Sequence, residues 1–426
     1  MEKSELSVGE YLRRLNAIPL PMNVPSEEVA PDFIVGVKPH DATQLAVMQI
    51  PEIATPEVKF RFFVDGVQRT VPICQVPVGS FRVPIFIAHL IAGAMERVHD
   101  RLNPFLKREA IVLYIPLEGL RSIDSSLSPP TTLAKFGHGG NIYNLIMRLR
   151  QPRRIDFWTD ISVRLSEAPG DEVNLGPVEL SAVGAVRRAA RNRSQVLLRI
   201  MELGVVWEII SRSIFNEDEF VVLDGPVFLP FKYAGLTSQQ LATVMSSSGE
   251  QIGDPRQAYH LLSHLIGAVK QVEIIPAQGL AVALSLEPDL RVPVYLFSEM
   301  IRGVTGDLVS RHVVSCFVWL RRELNEEIPL IWSPTSGLAR IDVPFPAIVD
   351  SRINWYSHDF HLDLSDGSRS RRRLEAILRT VVAERWPIPE ESPPRMLTEL
   401  YAIAETERWL KGHLLPEQEL RGLAEA

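Results

Sequence analysis

Cysteine is scarce in this chain of 426 residues: Cys74 and Cys316 are the only two. Two thiols build neither a disulfide framework nor a structural zinc site, which suits a reducing cytoplasm. The N-terminus, MEKSELSVGEYLRRL, lacks an apolar signal region. No long hydrophobic run is present either. The longest, VPIFIAHLIAGAM at 83–95, falls short of the ~20 residues that cross a bilayer, and it is expected to form a buried helix. No Walker A sequence, G-x-G-x-x-G or G-x-S-x-G occurs, which argues against a P-loop ATPase and an α/β-hydrolase. A surplus of positive charge is missing too, since the formal net charge is −7. The chain is therefore not a generally basic nucleic-acid binder.

What is present is a large apolar fraction, 46% against 23% charged, which is enough for a sizeable core. Arginines form local islands: Arg148, Arg150, Arg153 and Arg154; Arg187, Arg188, Arg191 and Arg193; and Arg369 with Arg371 to Arg373. Such islands either steer a phosphate backbone or are solvated helix faces.

Along the chain, residues 1–55 read as an N-terminal arm. Val8, Tyr11, Leu12 and Leu15 mark one side of a short amphipathic helix, and a proline-rich stretch follows from Pro19 to Pro31. The arm either docks on a partner or packs back on its own domain. The remainder, 56–426, reads as one catalytic domain. KFRFFVDG and QRTVPICQV are expected to form a hairpin about an Asp-Gly turn. Strands are expected at 110–117 and 155–165, helices at 179–214 and 254–272, and a return to the sheet at FVVLDGPVFLPF. Interleaved strands and helices favour an α/β, mixed-sheet architecture.

Asp65 and Asp224 each follow an apolar run and precede a glycine, and Glu202 lies on the long helix between them. A charge at the tip of a buried strand is costly unless it is solvated, paired or bound to a cation. Two such aspartates with a helix-borne glutamate suggest a hard-oxygen site for Mg²⁺ or Mn²⁺. The plainer readings stand beside this one: each Asp-Gly as a turn, and Glu202 as part of a polar helix face.

The order strand–Asp-Gly, helix with R-x-x-x-L-L-R-x-M-E-L, strand–Leu-Asp-Gly resembles the NurA nuclease family. The likeness centres on RSQVLLRIMELGVVWEIISRSIFNEDEFVVLDGPVFLPF (193–231) and extends over roughly 58–410. It implies an RNase H-like mixed sheet flanked by helices, with N- and C-terminal helical extensions. It also implies a metal-dependent DNA nuclease, exo- or endonucleolytic, acting as a homodimer on a hexameric HerA-like ATPase in end resection, repair or anti-phage defence. By this resemblance Asp65, Glu202 and Asp224 hold Mn²⁺ or Mg²⁺. HLIGAVKQ (264–271) places Lys270 near the site, either to face the phosphate or as a snorkelling helix lysine. RIDVPFP (340–346) matches a strand that usually carries an acid, here Asp342.

Family members end with a tyrosine-proline and a helix bearing a histidine or aspartate. This chain has Trp386-Pro387, and offers Tyr401, Glu399 or Glu405 in place of that residue. The departure leaves open a non-catalytic scaffold that binds DNA or the ATPase ring. Separately, WYSHDFHLDLSDG (355–367) as a strand would line up Asp359, His361 and Asp363 on one face, either as metal ligands or as a wet surface. The SDGSRSRRRLE continuation reads as a turn into a helix whose arginines are candidate phosphate contacts.

Overall fold

The structure is a computed structural model. It describes residues 8–19, 38–51, 54–130, 133–136, 154–162, 175–176, 179–180, 182–227, 255–270, 272, 274–277, 291–297, 313–320, 338–353, 360–384 and 400–425. In chain order the elements are α1 (Val8–Arg14), β1 (Ile18–Pro19), β2 (Lys38–His40), β3 (Ala42–Gln49), β4 (Lys59–Val78), β5 (Phe81–Val98), β6 (Arg101–Ile115), α2 (Leu117–Arg121), β7 (Ala134–Phe136) and β8 (Phe157–Asp160). There follow α3 (Val183–Arg212), β9 (Glu219–Asp224), α4 (Pro255–Ser263), β10 (Leu265–Val269), β11 (Ile274–Pro276), β12 (Arg291–Phe297), β13 (Val313–Trp319) and β14 (Leu338–Pro344). The last helices are α5 (Phe345–Ile348), α6 (Arg369–Ala383), α7 (Tyr401–Lys411) and α8 (Glu417–Glu425).

Among the described residues a 12-stranded mixed sheet dominates, in the order β3-β12-β13-β14-β10-β9-β4-β5-β6-β8-β7, with β1 on the second half of β4. The α/β, mixed-sheet expectation holds. β4, β5 and β6 form an antiparallel meander, whereas β9 runs parallel to both β4 and β10. The N-terminal segment folds back onto this sheet: Tyr11, Leu12 and Leu15 are buried in the main core and β3 forms an edge strand. No helix among the described residues is long and apolar enough to cross a membrane.

Three local expectations are corrected. Asp65-Gly66 is no hairpin turn, because β4 runs unbroken through it. The turn lies at Gly79-Ser80, where Val78 pairs with Phe81 and Gly79 takes φ 59°, a left-handed conformation that glycine adopts without steric cost. The apolar run 83–95 is a strand, not a helix. Helix α3 packs on one face of the β4–β5 ribbon and α7 on the other, so both faces of β5 are buried and no polar alternation marks it. Finally, 254–272 is not one helix: α4 stops at Ser263 and β10 begins at Leu265.

Candidate functional site

Parallel pairing of β4 with β9 runs through Val64 opposite Leu223. Asp65 and Asp224 are therefore the next residues on two adjacent strands. At that point β9 ends and β4 continues, which opens the sheet beside Asp65. The chain leaves β9 through Gly225, at φ 99°, whose N–H donates to Ala268 O at 2.8 Å. Ala268 of β10 pairs with Asp224, and Lys270, two residues on, shares the face of Asp224. Lys270 Nζ stands 3.3 Å from Asp224 Oδ2. It follows a strand rather than riding a helix, so the snorkelling reading does not apply.

Glu202 reaches the same place from α3. Its carboxylate rests against Gly66, where an added Cβ would come within 2.5 Å of Oε1 and 2.6 Å of Leu198 Cγ. Asp65 points to the opposite face, where α7 packs so closely on its strand partner Gly93 that a Cβ there would meet Leu410 Cδ2 at 2.7 Å. The two acids thus flank the strand end from opposite faces of the sheet.

Electrostatics ties the group together. Asp65 is 4% exposed, and its carboxyl is pushed well above the usual carboxylate range. Burial is the largest cause, followed by the charge of Asp224; Lys270 opposes the shift, and Glu202 and Glu407 add to it. Glu202 is raised to about 7, chiefly by burial, with Arg199 lowering it and Asp224 raising it. Asp65 Oδ1 accepts a hydrogen bond from Gly66 N at 2.7 Å, while its Oδ2 is buried without a hydrogen-bond partner. Glu202 Oε2 likewise lacks a hydrogen bond, although Arg199 Nη1 lies 2.7 Å away as an ion contact. The same nitrogen donates to Asp224 O at 2.9 Å.

Buried carboxylate oxygens with unused acceptor capacity fit a hard divalent cation in donor type. As they stand, however, no three His, Cys, Asp or Glu side chains among the described residues are grouped to hold a metal ion. Glu202 and Asp65 stand on opposite faces of β4, and Arg199 and Lys270 lie against Glu202 and Asp224.

Asp342 is engaged apart from these acids. Asp342 pairs with Gly267 across β14–β10, which puts it on the face opposite Asp224. It is fully buried, and its oxygens accept from Arg340 Nε at 2.9 Å, Arg340 Nη2 at 3.0 Å and Ser315 Oγ at 2.8 Å. It is a core ion pair, not a site acid. Glu399 and Asp359 lie outside the described residues. Tyr401 is 44% exposed at the start of α7, and Glu405 pairs with Arg408. The α7 acid that acts on Asp65 is Glu407 instead, and no local motif distinguishes it in the sequence. Residues 360–364 form no strand; His361 is exposed, and Asp363 caps a turn by accepting from Ser365 N at 2.9 Å. Of the α6 arginines, Arg369 pairs with Asp350 at 2.8 Å and Arg371 with Glu375 at 3.0 Å. Arg199 and Gly66 were the other residues missed, although Arg199 sits at helical i,i+3 spacing from Glu202.

No family model matches the chain, and no curated protein matches it. Among solved structures it is similar to the NurA nuclease from Sulfolobus solfataricus, with 10% sequence identity and a TM-score of 0.30, over 84% of this chain and 81% of that one. A likeness at that level pairs no site residue of one chain with one of the other.

Proposed function

We propose that this protein is a metal-dependent deoxyribonuclease that hydrolyses phosphodiester bonds. The carrying observation is Asp65: a buried carboxyl with an unpartnered oxygen, next to Asp224 on a parallel strand and within the fields of Glu202 and Lys270. In this reading Asp65, Glu202 and Asp224 hold Mn²⁺ or Mg²⁺, and Lys270 faces the phosphate and offsets charge that builds on its oxygens. A bound divalent ion would supply an activated water and stabilise the leaving oxygen. The chain's own contribution is to fix the acids at the split between β4 and β9 and to keep bulk water from the buried oxygens of Asp65 and Glu202.

The core is read as RNase H-like: the meander β6-β5-β4, a long helix α3, then β9 and β10 parallel to β4 support that reading. DNA as substrate, a homodimer, a cytoplasmic setting and a hexameric HerA-like ATPase as motor complete the proposal, with end resection, repair or anti-phage defence as the setting. They rest on the resemblance of residues 193–231. The test is cleavage of linear DNA with and without Mn²⁺ by the wild type, Asp65→Ala and Asp224→Ala. Loss of metal-dependent cleavage in both variants is expected, and undiminished cleavage in both overturns the reading.

A second reading, a non-catalytic RNase H-like scaffold that binds DNA or the ATPase ring, is favoured by the cations that sit on Glu202 and Asp224. Calorimetric titration with Mn²⁺ separates the two, because a scaffold shows no binding that depends on Asp224.

A further inference from the structure

Arg199 precedes Glu202 by one helical turn and spans from α3 to the end of β9. Its Nη1 touches both Glu202 Oε2, at 2.7 Å, and the backbone oxygen of Asp224, at 2.9 Å. Its Nη2 fills the space above Gly225, where an added Cβ would lie only 2.1 Å away. The φ of 99° at Gly225 reserves that niche for glycine as well. Helical spacing on one element and a bare backbone on another thus deliver one guanidinium between two oxygens. A hard cation seeks the same pair of donors.

We propose that Arg199 is a built-in counter-ion that competes with the divalent cation for Glu202 and the end of β9, and so sets the metal affinity of the site. The inference rests on the metal-site reading above. A guanidinium does not lose its proton in a protein, so metal entry requires it to swing off Glu202. Without it, Glu202 is a buried carboxylate deprived of its nearest positive charge, which weakens the metal-free fold and strengthens attraction for a cation. Two opposite effects of one substitution distinguish competition from a plain structural role.

The experiment titrates Mn²⁺ calorimetrically into the full chain, stripped of metal, as wild type, Arg199→Gln and Arg199→Met. Unfolding temperatures with and without Mn²⁺ are read alongside. The methionine variant keeps an apolar stem on α3 and serves where glutamine does not fold. Competition predicts Mn²⁺ binding about tenfold tighter or more in either neutral variant, with a lower metal-free Tm and a larger Mn²⁺-induced rise. Equal or weaker binding by the neutral variants overturns the competition while leaving the metal site standing. Absence of Mn²⁺ binding in all three chains overturns both readings.

Discussion

Gly66 and Glu202 touch across the β4–α3 interface: the helix brings a carboxylate to a point of the strand where only a hydrogen fits. A Cβ at residue 66 would lie 2.5 Å from Glu202 Oε1 and 2.6 Å from Leu198 Cγ. Gly66→Ala is therefore expected to destabilise the protein by ~1–3 kcal/mol through overpacking and to displace the carboxylate from the strand end. Gly422 on α8 has open space around it, and Gly422→Ala should stabilise slightly, by ~0.5–1 kcal/mol. Urea unfolding of the two variants should give shifts of opposite sign. A neutral Gly66→Ala would mean that α3 does not press on β4 there.

The raised acid on α3 makes the metal-free protein pH-sensitive. The Glu202 carboxyl titrates at about 7 in the fold against 4.5 for an ordinary glutamate. A group raised on folding stabilises while protonated, fully so below pH ~4.5, and that contribution disappears as pH climbs through about 7. Metal-free stability should thus fall between pH 5 and 8. Glu202→Gln should flatten that slope and be more stable than wild type at pH 8, by about 3 kcal/mol. Chemical denaturation in EDTA across that range measures it. A wild-type profile that rises with pH would refute the buried-acid account.

Sequence pattern alone was enough for some elements and silent on others, for physical reasons. Helix α3 is legible because its apolar residues keep helical spacing over many turns. The adjacency of Asp65 and Asp224, one residue beyond the last β4–β9 pair, is legible as two apolar runs that end alike. By contrast β5 and β10 are covered on both faces, so neither shows the period of two that betrays a half-buried strand. The role of Gly66 was masked by the habit of Asp-Gly as a turn: the glycine is there for a helix that approaches, not for a reversal. Asp342 carries a matching motif yet belongs to the opposite face, a one-residue matter of register that a linear pattern does not disclose. Glu407 is brought to Asp65 only by the docking of α7.

Asp342 offers a control on that distinction. Asp342→Ala leaves Arg340, 2% exposed, without the carboxylate it holds at 2.9 and 3.0 Å. Breaking one side of a buried ion pair costs ~3–5 kcal/mol, so a marked fall in Tm is expected. Mn²⁺ affinity of the folded fraction should not change. If Asp342→Ala abolishes Mn²⁺ binding while retaining its Tm, Asp342 belongs to the site after all.

The segment after α7 is held by its backbone. Leu415 N donates to His89 Nδ1 at 3.1 Å, and Leu415 O accepts from Arg69 Nη1 at 2.6 Å, with Arg69 and His89 paired across β4 and β5. The imidazole is completely buried and its Nε2 faces Glu109 Oε2 at 3.5 Å. His89→Ala removes one of the two clamps and leaves a void, at a cost of roughly 2–4 kcal/mol. Amide exchange should accelerate in α7 and α8 but not in α6. Uniform acceleration over the whole sheet would show that the clamp is not local.

On the metal-site proposal Asp65 sets function against stability. Its carboxyl is raised by burial and by the charge of Asp224, so the metal-free fold loses stability relative to the unfolded chain as pH rises above the ordinary carboxylate range. Asp65→Asn keeps an oxygen for the Gly66 N–H and removes the charge. The variant should unfold later than wild type in EDTA at pH 8. Under the metal-site proposal Mn²⁺ should raise the Tm of the wild type and not that of the variant, since such a rise reports binding to the folded state alone. A variant less stable than wild type in EDTA would mean that the aspartate serves the fold rather than a ligand. Four melting curves, of the two proteins each in EDTA and with Mn²⁺, give both measurements, and their opposite signs are what a site that stores electrostatic strain for a cation requires.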